Sequence, residues 1–136
     1  MDNLAIHLAL HGVLVITVSV LGGVVLYRSI LKKTNVADWH LLHAGGSARG
    51  ILLIALAAVI HFPALPPWQL TVLAWFVIYF VWTSTLAMLI RAITSEPGFE
   101  FSGSRTNKLV FVLYASGAAT LFPGLVLLVV GLLNAL

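Results

Sequence analysis

Residues 4–27 read LAIHLALHGVLVITVSVLGGVVLY, without a single Asp, Glu, Lys or Arg. At about 1.5 Å of rise per residue this stretch is about 36 Å long as a helix, enough for a hydrocarbon core of about 30 Å. Its apolar residues run on continuously, whereas a barrel strand alternates them. Lipid offers the backbone no hydrogen-bond partners, and a helix satisfies every N–H and C=O within the segment. Three further runs read the same way: about 40–62, ended by Pro63, Pro66 and Pro67; about 68–93; and about 107–133. The expected fold is all-α, an integral membrane four-helix bundle forming one transmembrane domain over 1–136.

Composition agrees. Of 136 residues, 61% are hydrophobic and 8% charged, against about 25% charged in a soluble domain. Too little polar material remains for a water-facing shell, so the main partner is the lipid bilayer. The net charge of +3 sits in two short stretches, which reads as membrane topology and not as a nucleic-acid surface. The absence of cysteine excludes disulfides, thiolate ligands, Fe–S clusters and a cysteine nucleophile. Met1-Asp2-Asn3-Leu4 lacks the basic flank of a signal peptide, so the first helix is expected to be retained.

The connections set an expected orientation. The first carries Arg28, Lys32 and Lys33 against Asp38, and the third region carries Arg91, Arg105 and Lys108 against Glu96 and Glu100. Residues 61–68 contain no Lys or Arg. The positive-inside rule places the first and third connections in the cytoplasm and both termini on the non-cytoplasmic side, with a bacterial inner membrane as the expected location. Tyr27 and Trp39 then fall at the inner interface and Trp68 at the outer one.

Ionisable groups inside a bilayer are expensive and mark function by default. They are His7, His11, His43, His61 and Arg49. Gly46, Ser47 and Gly50 follow His43 at three, four and seven residues, on one helical face. A histidine above small residues suits a flat macrocycle, with imidazole as metal ligand. The same small residues equally suit close helix packing. His7 and His11, four apart, share a face at a depth similar to His61; they read as an outer metal site or as hydrogen-bonded structural histidines. A clamp of one heme between His11 and His43 is disfavoured, because His43 lies about 5 Å and His11 about 24 Å from the matching helix ends. Arg49, about 14 Å into the second helix, has no intramembrane acid beside it: Asp2, Asp38, Glu96 and Glu100 are all peripheral. Its counter-ion is a ligand, a wet pocket or a distant headgroup.

Several features together resemble the styrene oxide isomerases: His11-Gly12; Trp39 with His43-Ala44-Gly45; the run Gly50-Ile51-Leu52-Leu53-Ile54-Ala55-Leu56-Ala57; Trp82; and Gly98-Phe99-Glu100-Phe101. The likeness spans nearly the whole chain as scattered matches. It implies a membrane isomerase, a homotrimer with heme b near the subunit boundary, and ferric iron held by His43. The iron acts there as a Lewis acid on an epoxide oxygen, in a Meinwald rearrangement to a carbonyl compound. It implies that Arg49 and Met88 are catalytic positions; by their spacing from His43, Gly46, Ser47 and Gly50 are the residues expected to border the cofactor. The family's pattern has Asn where this chain has Arg49, and Tyr where it has Met88. The substrate is then a small hydrophobic molecule that Arg49 allows to carry an anionic group. Arg28, Lys32 and Lys33 either meet heme propionates or only set topology. Met88, at the depth of His43, opens an alternative: Met is a known partner of His in cytochromes, which would make the chain an electron-transfer or sensing protein. A cofactor-free membrane subunit is the third reading.

Overall fold

The computed structural model of the protein describes residues 2–136; the side chain of Asp2, one of the peripheral acids, lies outside what it describes. Four helices of membrane-crossing length follow one another: α1 (Asp2–Lys32), α2 (Val36–Val59), α3 (Pro67–Thr94) and α4 (Arg105–Leu133), with no strand among the described residues. The all-helical membrane fold expected from hydropathy is the fold observed.

The helix ends differ from the hydropathy limits for local reasons. α1 continues past Tyr27 to Lys32, because Arg and Lys are good helix formers whose long stems lie along apolar surface. Lys33 and Asn35 then take left-handed backbone (φ 54° and 47°) and end it. Asn35 Nδ2 donates to the Ala92 carbonyl at 2.7 Å, pinning the first connection to the end of α3. α2 therefore starts at Val36, four residues before His40, and stops at Val59, short of Phe62. The residue before Pro63 is biased away from helical backbone. Pro67 opens α3 at a position where its missing N–H has no helical partner to lose. Ser104 caps α4, accepting from the Asn107 N–H at 3.0 Å.

Consecutive helices form two hairpins, α1 with α2 and α3 with α4, and α3 also touches α1 and α2. Among the helices, α4 packs on α3 alone. In their apolar windows α3 is 56% buried and α4 17%, so α3 is the shared wall of an arrangement that is not closed on its fourth side. A cleft is left between α2 and α4.

Small residues set the close approaches, as expected where lipid gives no hydrophobic drive between helices. Gly12 and Gly50 lie against each other: a Cβ on either would stand 2.7 Å from the other's carbonyl oxygen. In α4, Gly117, Gly124 and Gly131 are buried at intervals of seven. Gly117 faces Thr83 and Phe80, Gly124 faces Phe76 and Val77, and Gly131 faces Pro63 and Leu65 in the connection between α2 and α3. Leu8, Val15, Leu53, Leu56, Leu73 and Val81 form the apolar core between α1, α2 and α3.

Candidate functional site

His43 lies in a π-helical turn, Leu41–Gly45, within α2, a distortion that often accompanies functional positions. Ser47 Oγ donates to the His43 carbonyl at 2.6 Å and Arg49 Nη1 to the Gly45 carbonyl at 2.9 Å. The His43 ring is turned to α1, with Nδ1 2.9 Å from the Ser19 carbonyl oxygen. A carbonyl only accepts, so Nδ1 carries the proton and donates. The Nε2 lone pair is then free, and Nε2 makes no hydrogen bond among the described residues. Gly23 makes room: a Cβ there would be 2.7 Å from Nδ1. An imidazole anchored through Nδ1–H to a carbonyl, with Nε2 open, is the state in which histidine ligates a metal. His43 therefore fits the role of heme ligand.

Gly46 and Gly50 share the face of His43 but do not lie open beside it. Both are buried against α1, Gly46 on Ser19 and Gly50 on Gly12 and Ile16. The helix spacing gave the face correctly; the helix opposite uses its small residues for packing. Ser47 spends its proton on its own helix.

Arg49 is on the other side of α2. Its side chain folds back one turn, and Nη1 approaches the Met88 sulfur at 3.5 Å as well as the Gly45 carbonyl. The Phe80 ring centre is 5.7 Å from Cζ. Nε is buried and has no hydrogen-bond partner. The two residues singled out as catalytic positions, Arg49 and Met88, thus meet. The structure does not bring them to the His43 ring, which faces α1. Met88, buried and turned to Arg49, is accordingly not placed to share an axial position with the His43 of its own chain.

Arg49 and Met88 line the cleft between α2 and α4, a cavity of about 640 Å³. Tyr114, Phe111, Ala115 and Ala118 of α4 form the opposite wall, and Leu41, Arg91, Gly98 and Phe99 close the end bearing the charged connections. Arg91 is paired with Asp38 (Nε to Oδ1, 2.7 Å) and carries the Phe99 ring 5.2 Å from Cζ. Asn107 holds the covering segment: its Oδ1 accepts from Gly98 N, and its Nδ2 donates to the Glu100 and Ser102 carbonyls. Sequence reasoning missed Tyr114. The available signal was the single tyrosine of the run 107–133, on a helix that holds none of the other candidates.

The remaining histidines separate. Trp82 Nε1 donates to His11 Nδ1 at 3.0 Å, so the proton of neutral His11 is on Nε2, the reverse of His43. His7 and His11 stack at 6.5 Å between ring centres, with Trp75 beside both. His61 is exposed at its loop. No cluster of three His, Cys, Asp or Glu side chains able to hold a metal occurs among the described residues. Arg28, Lys32 and Lys33 are exposed at the end of α1.

Four apolar spans, an anchored histidine and a cleft lined by a half-buried arginine describe a polytopic membrane protein. Residues 4–133 match the family model described as Styrene oxide isomerase. No curated protein matches the chain. The chain belongs to the styrene oxide isomerase family and is an isomerase-type membrane protein.

Proposed function

We propose that this protein isomerises an epoxide, or a related strained small molecule, to a carbonyl compound, with heme b held through His43. In the overall conversion one C–O bond of the ring breaks, a hydrogen or substituent migrates to the adjoining carbon, and the oxygen becomes a carbonyl. No atoms enter or leave and no electron partner is required. Ferric heme, when bound, supplies a Lewis acid for the oxygen that leaves carbon. The observation that carries this reading is the 2.9 Å contact from His43 Nδ1 to the Ser19 carbonyl, which leaves one ring nitrogen available. Ser19 orients the ring, and Gly23 admits it. The apolar walls of the chain exclude the water that would divert an opened epoxide to a diol. Family membership supports the isomerase assignment, and the same likeness is our basis for a homotrimer.

Absorption spectra of the detergent-purified protein, with product analysis on styrene oxide and related epoxides, test the proposal. We expect a Soret band that epoxides perturb, loss of that band in His43→Ala, and aldehyde as product. A protein without heme, or one whose heme persists in His43→Ala, overturns it.

A further inference from the structure

The Arg49 guanidinium has five N–H donors, of which only Nη1 is hydrogen-bonded among the described residues, to the Gly45 carbonyl and the Met88 sulfur, with the Phe80 ring centre 5.7 Å from Cζ. Nε is enclosed without an acceptor, and Nη2 makes no hydrogen bond among the described residues. Nη2 is thus the donor left for an acceptor in the cleft that Arg49 lines, and a carboxylate oxygen is its charge-assisted partner. Charge points the same way. Of the two cations lining the cleft, Arg91 is neutralised by Asp38, which leaves one uncompensated positive charge. The opposite wall offers the hydroxyl of Tyr114 and otherwise Phe111, Ala115 and Ala118. Leu41, Gly98 and Phe99 line the end toward the charged connections. A cavity of about 640 Å³ is within the range that takes a small ligand.

We infer that the cleft between α2 and α4 is a subsite for a small apolar molecule bearing one carboxylate, received by Arg49 with Tyr114 as a second donor. Resting on the proposed isomerase activity, this makes the substrate an epoxide on an apolar body that also carries an acid group.

The probes are 4-vinylbenzoate, which has the acid and no epoxide, and its methyl ester. Each is titrated calorimetrically into the full-length protein in detergent. The acid is expected to bind wild type about tenfold or more tightly than the ester, as charge-assisted hydrogen bonds to a carboxylate require. That preference disappears in Arg49→Gln, survives in part in Arg49→Lys and shrinks in Tyr114→Phe; the last two variants carry the test should Arg49→Gln not fold. Equal binding of acid and ester by wild type overturns the subsite. So does an acid preference unchanged in Arg49→Gln. Loss of heme absorbance, or of co-purified phosphatidylglycerol, in Arg49→Gln with no acid preference in wild type assigns the guanidinium to a propionate or a lipid phosphate, and also overturns it. Turnover separates the two claims. Conversion of styrene oxide and 4-carboxystyrene oxide with equal kcat/KM keeps the isomerase and removes the acid subsite. Conversion of neither, with the acid preference intact, does the reverse.

Discussion

Gly23 stands where an added methyl group would meet the His43 ring 2.7 Å from Nδ1. Gly23→Ala must therefore push the imidazole off the Ser19 carbonyl, and losing the hydrogen bond that orients a metal-binding histidine costs about 10–100-fold in metal affinity. For the heme role proposed for His43, the expected outcome is a weakening of that order in heme titration, with the helical signal in circular dichroism unchanged. The sequence marks His43 plainly, because an ionisable ring inside an apolar helix is costly to keep unless it binds something there. Which nitrogen is free depends on a carbonyl of another helix, which no spacing within α2 reveals. The same holds for His11, whose neutral tautomer is set by Trp82 at a distance of 71 residues. Arg49 was legible as an unpaired charge. Its sulfur contact follows from the crossing of α2 and α3, and Tyr114 from the placing of α4.

At the scale of the helices, hydropathy found all four spans, since twenty or so apolar residues admit one structure in lipid. It did not place their ends, which depend on caps and left-handed residues such as Asn35 and Ser104. Nor did it identify what the glycines face. Gly12 and Gly124 make the contrast measurable. A methyl on Gly12 meets the Gly50 backbone at 2.7 Å, whereas one on Gly124 finds ordinary contacts at 3.5 Å. Overpacking costs about 1–3 kcal/mol, while Gly to Ala within a helix gains up to about 1 kcal/mol. Gly12→Ala should thus lower the melting temperature in detergent, and Gly124→Ala should leave it unchanged or raise it. The segment after α3 depends on one side chain. Asn107→Ala removes partners from three backbone groups, of which the buried Gly98 N–H is left unsatisfied at a loss of about 1–3 kcal/mol. Limited proteolysis should cut 95–104 faster in that variant while α1 to α4 stay protected.

For the whole molecule the decisive feature is the asymmetry of its packing, with α3 supporting three neighbours and α4 supported by one helix. Filling the cleft tests whether it admits the ligand. Ala118→Trp should raise KM about tenfold or more, the equivalent of losing roughly 1.4 kcal/mol of binding, with heme content and melting temperature retained. An unchanged KM would place the reaction elsewhere. The unclosed side has a further consequence. α4 does not come up against α1 or α2, so the mouth of the cleft opens in the plane of the membrane, and an apolar molecule reaches it after partitioning into lipid. Transfer from water is worth about 0.8 kcal/mol per CH₂, or about fourfold per methylene. In a homologous series of substrates, the apparent KM counted in water should fall by about that factor with each carbon. Counted as mole fraction in the bilayer it should stay level, because the membrane, not the protein, makes that selection.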